Sequence, residues 1–155
     1  MCLGQPMMNA ESAGRLPFSW PVRVYWEDTD AGGVVYHANY LCFFERCRSE
    51  WLRSLGIAQE RFRHEFDRVF AIRSMHTDYR RASRLDDQLV VRVDEVRVGL
   101  ASLDFRQSIL RQGEDESIAT AQVRVGCLVA SSFKPTRMPD SLRQILLQAT
   151  ESGAD

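Results

Sequence analysis

The sequence predicts an α+β domain in which one long amphipathic helix lies on a five-stranded antiparallel sheet. Three observations carry this. A segment of period two opens the ordered part, a long aromatic stretch of helical period follows, and four further extended segments succeed one another to residue 129. The 155 residues fit one domain, and their 45% hydrophobic and 26% charged composition is that of an ordinary globular chain rather than a coiled coil or a disordered protein.

Residues 1–16 mix Gly, Ser, Asn and Met without periodicity and read as a flexible tail ahead of a domain spanning 17–139. From Ser19 to Trp26 the chain alternates, with Trp20, Val22, Val24 and Trp26 on one face, so the period of two predicts a strand. Glu27 to Val35 holds three acids and the pair Gly32-Gly33, a turn-rich loop. From Ala38 to Leu55, Tyr40, Phe43, Phe44, Cys47, Trp51 and Leu55 recur at three- and four-residue steps, and Gly56 stands where a helix stop belongs. Ile57 to Asp67 is polar and has room for a short helix. Strands are predicted at Val69–Tyr79, Gln88–Val98, Ser102–Arg111 and Ser117–Val129. In the last, Ala119, Ala121, Val123, Val125, Cys127 and Val129 share the inward face. In the 88–98 strand the apolar phase slips between Val93 and Val96, which predicts a bulge at Asp94-Glu95. Residues 140–155 read as a short terminal helix and tail, capped by Asp140 or Ser141 after Pro139.

A balance of 20 Lys+Arg against 21 Asp+Glu argues against a duplex-DNA binder, and no apolar run is long enough to span a membrane. Met1 to Met8 has neither the basic flank nor the apolar run of a secretory signal. The four cysteines form no CxxC, which predicts free thiols in a reducing, cytoplasmic setting. The sequence has no nucleophile elbow, phosphate loop or dinucleotide fingerprint. His64-Glu65 begins a zinc-protease pattern but Arg68 occupies the second histidine slot. Asp28-Thr29-Asp30 opens like a calcium loop but meets Gly32 and Asn39 where ligands belong. No metal site is predicted.

One stretch is richer than a turn requires. In Trp26-Glu27-Asp28-Thr29-Asp30-Ala31-Gly32-Gly33-Val34-Val35-Tyr36-His37-Ala38-Asn39-Tyr40, acids sit in a glycine loop immediately before the long helix. A helix N-terminus offers unpaired N–H groups and the positive end of the dipole. A carboxylate facing such donors is equipped for carbonyl chemistry, as nucleophile or base opposite an oxyanion site. An Asp before a helix also serves as a cap, and a His there as a packing residue, so the residues alone leave both readings open.

The whole pattern resembles the hotdog-fold acyl-CoA thioesterases, in the branch that contains 4-hydroxybenzoyl-CoA thioesterase and the Tol–Pal-associated thioesterases. The likeness runs from Trp20-Pro21-Val22-Arg23-Val24-Tyr25 through the Glu27–Tyr40 loop, then Phe44-Glu45-Arg46 and Arg48-Ser49-Glu50 in the helix, to Arg84-Leu85-Asp86-Asp87, covering about residues 18–138. It implies a long helix wrapped by the curved sheet, and homo-oligomers, dimers or tetramers, with sites at subunit boundaries. Apolar residues in the last strand, such as Ile118, Val123, Val125 and Leu128, predict that both of its faces are covered.

By the same resemblance Asp30 is the catalytic carboxylate and the His37 backbone N–H polarises the thioester carbonyl. The His37 side chain and Tyr36 orient water or substrate, Gly33 and Val34 line the substrate, and Asp28 holds the loop. No cofactor is implied, coenzyme A being part of the substrate. Glu45 lies on the helix that carries a carboxylate in another branch, but its arginine neighbours favour an ion pair. The basic cluster that grips CoA phosphates in the 4-hydroxybenzoyl branch is missing at Arg97-Val98-Gly99-Leu100-Ala101-Ser102. Arg97 and Arg84 are therefore the phosphate candidates, with Arg80, Arg81 and Lys134 beside them. A pantetheine arm on acyl carrier protein also fits a less basic rim. Two other readings share the fold. One is an enoyl-thioester hydratase, whose acid–histidine loop is shorter than the interval from Asp30 to His37. The other is a non-catalytic oligomeric module that binds acyl thioesters or a partner in an envelope or lipid-synthesis assembly.

Overall fold

The computed structural model describes residues 14–152. Residues 1–13 of the expected tail and the last three residues lie outside them. Strand β1 (Phe18–Arg23) leads through a 3-10 turn (Trp26–Asp28) and the glycine loop into α1 (Asn39–Ser54), then α2 (Gln59–Phe66), β2 (Arg68–Tyr79), β3 (Gln88–Val98), β4 (Ser102–Arg111), β5 (Ser117–Val129) and α3 (Asp140–Glu151). The strands form one antiparallel sheet in the order β1-β3-β4-β5-β2.

The pairing of β2 differs from simple chain order. It joins β5, from Arg68↔Val129 to Tyr79↔Ala119, and not its successor β3. The eight residues after Tyr79 therefore carry the chain across the end of the sheet. Both β1 and β2 are edges, and β2, at 12 residues, is the longer.

Helix α1 packs on β3 and β1 through Tyr40, Phe43, Phe44, Cys47, Trp51 and Leu52, all buried in one core cluster with Leu89, Val91, Leu103, Phe105 and Ile109. Leu52 takes the buried place expected of Leu55, which is only half-buried. The helix ends as the glycine predicts. Gly56, at φ +80°, donates to Arg53 O and Ile57 donates to Leu52 O, while the Ile57 and Leu52 side chains are both buried. This is the paired-bond stop that a left-handed residue makes possible.

The bulge in β3 falls between Val93 and Glu95 as predicted, and β2 carries a second between Ile72 and Ser74. Trp26 departs from its expected face. It is 80% exposed, because the strand has already ended in the 3-10 turn. The expected cap of α3 is also absent. Pro139 occupies the cap position without a side-chain bond, and the helix is seated by Leu142, Leu146 and Ala149. Chain packing begins before residue 17. Leu16 is buried, and the Trp51 indole donates to Gly14 O at 3.0 Å.

The outer face of the sheet corrects the expectation of apolar residues on both sides of the last strand. Val123 and Val125 point inward and Ile118 is buried within the chain, whereas Gln122 and Arg124 are exposed. Arg124 is paired there with Asp104 at 2.7 Å, and Arg106 with Glu95 at 2.9 Å. Among the described residues no helix is long and apolar enough to cross a membrane.

Inside the sheet one polar pair is buried. Arg48 Nη1 donates to Gln107 Oε1 at 2.9 Å, and Gln107 Nε2 donates to Phe44 O at 3.1 Å. Burial lowers the Arg48 pKa from its ordinary value, opposed by the nearby Glu45 carboxylate. A buried charge of this kind is costly unless it is paired, and the Gln107 oxygen gives it one buried acceptor.

Candidate active site

The glycine loop is a small hairpin. Thr29 and Val35 bridge, the Asp30 N–H donates to Val34 O at 2.9 Å, and the Gly33 N–H returns to Asp30 O at 3.0 Å. Gly33 closes the turn at φ +78°, a left-handed conformation that side chains rarely adopt. Gly32 is needed for a different reason. Its N–H donates to Asp30 Oδ1 at 2.8 Å, and a Cβ there would stand 3.1 Å from that oxygen and press on the carboxylate.

The two aspartates of the loop have opposite environments. Asp28 is 6% exposed, and both of its oxygens are engaged: Oδ2 accepts the Tyr25 N–H at 2.8 Å and Oδ1 accepts Asn39 Nδ2 at 2.9 Å. Its own carbonyl accepts the Tyr36 N–H at 2.8 Å. Asp28 thus ties the end of the first strand to the first turn of α1. Asp30 is exposed, and among the described residues its second oxygen, Oδ2, has no partner.

Between loop and helix lies the turn Tyr36-His37-Ala38. The Asn39 N–H donates to Tyr36 O at 2.8 Å, and the Tyr79 hydroxyl, from the end of β2, donates to His37 O at 3.1 Å. Among the described residues no acceptor meets the N–H of His37 or of Ala38. The exposed rings of Tyr36 and His37 lie 4.5 Å apart, and Tyr79 stands edge-on to His37 at 6.3 Å.

The structure therefore gathers Asp30, Gly33, Val34, Tyr36 and His37 in consecutive turns at one end of the sheet. Arg84 belongs to the same end, because the Val35 N–H donates to Ser83 O at 2.8 Å. The segment is fixed in turn by Asp87, which accepts the Arg84 N–H and the Arg111 guanidinium. Arg84 and Arg80 are exposed and form no ion pair among the described residues, whereas Arg81 is held by Glu114 at 3.0 Å. Arg97 is not brought here. It sits opposite Asp104 on the outer face, nine residues along β3 from Gln88, about 30 Å at strand rise. Lys134 is also remote, its carbonyl bonded to Val129 at the other end of β5.

Glu45 lacks the arginine partner expected of it. It is exposed and accepts the Ser49 hydroxyl at 2.7 Å, while Arg48 turns into the core. Sequence reasoning missed Tyr79 and the Arg48–Gln107 pair. The available signal was a glutamine at the inward position between Phe105 and Ile109. Cys42, Cys47 and Cys127 are free thiols, and Cys2 lies outside the described residues. Among the described residues no group of three or more His, Cys, Asp or Glu side chains is placed to hold a metal ion.

A helix packed into a five-stranded antiparallel sheet, entered through a glycine loop that carries an exposed carboxylate, is the hotdog arrangement. The chain belongs to the thioesterase-like superfamily, whose model matches residues 24–146. It is 42% identical over 126 residues to the acyl-CoA thioesterase YbgC of Haemophilus influenzae, across 81% of this chain and 91% of that one. It is 43% identical over 126 residues to the acyl-CoA thioester hydrolase YbgC of Escherichia coli O157:H7, across 81% and 92%. Among solved structures it resembles a probable thioesterase from Bartonella henselae, with a TM-score of 0.72 and 34% identity over 78% of this chain and 98% of that one. The resemblance drawn from the loop motif is borne out, and the chain is a thioester hydrolase.

Proposed function

We propose that this hydrolase cleaves acyl-CoA thioesters to a carboxylate and free CoA, with Asp30 as its catalytic carboxylate and the His37 N–H as its oxyanion donor. The observation that carries this is the contrast within the loop. Asp28 has both oxygens committed, whereas among the described residues exposed Asp30 keeps one oxygen unpartnered and the amides of His37 and Ala38, a few residues on, have no acceptor. Asp30 either attacks the thioester carbon, expelling the thiolate and forming a mixed anhydride that water then hydrolyses to restore the carboxylate, or takes a proton from a water that attacks in its place. Both routes leave a carboxylate and a thiol. In both, charge develops on the carbonyl oxygen where the N–H donors of the helix start stabilise it. The Tyr36 and His37 rings wall the site and orient water or acyl group, and the bare backbone at Gly33-Val34 lets the thioester approach. CoA enters as substrate, and the reaction needs no further cofactor.

Arg84 is the phosphate contact that the geometry favours, with Arg80 beside it. Arg97 has no part in the site within one chain. The same geometry serves a pantetheine arm on acyl carrier protein. Free thiols at three described cysteines favour a reducing, cytoplasmic setting.

A homo-oligomer, dimer or tetramer, completes this reading. The support lies at the long β2 edge, where Ile72 is 51% and Tyr79 47% exposed. Behind Ile72 a cleft of about 130 Å³ opens between α1 and the sheet, lined by Arg48, Leu52, Phe70 and Phe105. A long edge strand with apolar neighbours is a template for pairing with a second chain, and such a copy would cover Asp30. Sedimentation velocity reads this directly, and a monomer at assay concentration counts against it.

The deciding experiment is Asp30→Asn in a thiol-release assay across short, long and aromatic acyl-CoAs. Turnover falls on the order of 10³–10⁴-fold with the melting temperature unchanged. A variant that turns over at the parent rate removes Asp30 from the chemistry.

A further inference from the structure

The peptide units on either side of His37 are pinned through their carbonyl oxygens. Tyr36 O accepts the Asn39 N–H at 2.8 Å, a local turn bond of the helix entry. His37 O accepts a side chain 42 residues away, the Tyr79 hydroxyl at 3.1 Å. With both carbonyls held, neither peptide plane can rotate, and the N–H groups of His37 and Ala38 keep fixed directions. Loop packing does not require this second bond. Asp28, Ser83 and Asn39 already hold the segment through bonds that do not involve Tyr79.

We propose that Tyr79 is a positioning residue for carbonyl polarisation, holding the His37–Ala38 peptide so that the amides at the start of α1 face the thioester. This rests on the reading of Asp30 and the helix-start amides given above. The bond does more than orient. A hydroxyl donating to a peptide carbonyl polarises that peptide and makes its N–H, here that of Ala38, a better donor. Ala38 then joins His37 as a second donor to the developing oxyanion. The placement of Tyr79 is non-local. It ends β2, opposite Ala119 of β5, and its ring meets Tyr40 of α1 at 5.7 Å, so sheet and helix together set the position of the hydroxyl. Partial burial, and then the neighbouring Tyr40, raise its pKa above the ordinary tyrosine value, which keeps it a protonated donor across the working range.

Tyr79→Phe tests this while keeping the ring contacts. In thiol-release assays kcat falls about tenfold, with KM and melting temperature unchanged. In amide NMR spectra of the intact protein the Ala38 N–H resonance moves upfield. Unchanged kcat overturns the proposal, as does a loss of kcat that tracks a lower melting temperature, or a rise in KM alone. Asp30→Asn, run alongside, separates the two levels. Full turnover in that variant defeats the reading of the site, while the Ala38 resonance still decides whether the hydroxyl holds the peptide. Loss of turnover in Asp30→Asn with normal turnover in Tyr79→Phe defeats only the role of Tyr79.

Discussion

Replacing Asp28 by Ala separates the two aspartates of the loop by what each one costs. Asp28 is buried and accepts two hydrogen bonds, from the Tyr25 N–H at 2.8 Å and Asn39 Nδ2 at 2.9 Å. Bonds to a charged acceptor are worth roughly 1.5–3 kcal/mol each, and truncation leaves both donors unmet. Both contacts are only part-buried, so water recovers some of the loss, and about 2–4 kcal/mol is the expected destabilisation. For a chain of this size each kcal/mol moves the melting temperature by roughly 2–4 °C, so the variant melts about 4–16 °C lower. Asp30, exposed and bonded only to the Gly32 N–H, melts with the parent when changed to Asn. Calorimetry and thiol release on both variants then give opposite results: Asp28→Ala lowers the melting temperature and Asp30→Asn abolishes turnover. A parental melting temperature for Asp28→Ala would refute the claim that this carboxylate fastens strand to helix. A large drop for Asp30→Asn would mean that the exposed carboxylate is structural as well.

Two further outcomes follow from the same geometry. Burial pushes the Cys47 thiol up to about 12 from an ordinary 9.0, so the unfolded chain loses this proton first. The stability it contributes is whole below pH 9 and declines as pH rises toward 12, by about 1.4 kcal/mol per unit. Denaturant titrations across that range show a shallower decline for Cys47→Ala than for the parent, and parallel slopes refute the assignment. Arg84→Ala raises KM several-fold for an acyl-CoA but not for the matching acyl-pantetheine, which lacks the nucleotide phosphates. An equal rise for both substrates would place Arg84 at the acyl end instead.

The extent to which the chain could be read in advance follows its local physics. Strands β3, β4 and β5 fall on the predicted residues, because each keeps a recognisable apolar period of two over most of its length and turn residues at Gly99 and Gly113 punctuate them. Gly56 and the bulge near Asp94 are also local signals, one a backbone conformation and the other a phase slip. What failed was non-local. Nothing in β2 itself says that it pairs with β5, since its alternation suits either neighbour. Trp26 continues the period of its strand on paper, but the chain turns before reaching it. Arg48 and Gln107 each look like surface residues in isolation and are buried only because they meet 59 positions apart. In the loop, spacing alone left a cap and a catalyst both open, with the cap the commoner outcome. The resemblance to a family singled out Asp30, and the bonding of Asp28 supplies a physical reason for the proposed choice.

That reason bears on how a short acidic motif comes to hold two roles. Residues two apart in an extended segment share a face, yet here the 3-10 turn after β1 directs Asp28 inward and the glycine turn leaves Asp30 outward. The fastening is done by groups other than the Asp30 side chain. Asp28 accepts from strand and helix, Ser83 accepts from Val35, and Asp30 itself is held by its own backbone N–H and carbonyl. A carboxylate whose backbone is fixed on both sides and whose second oxygen is free is preorganised without being neutralised, as a nucleophile or base requires. The Tyr79 bond extends the same logic to the acceptor side of the reaction. There too the backbone is fixed through carbonyl oxygens, which leaves the N–H groups of His37 and Ala38 without an acceptor among the described residues, as the proposed oxyanion role requires.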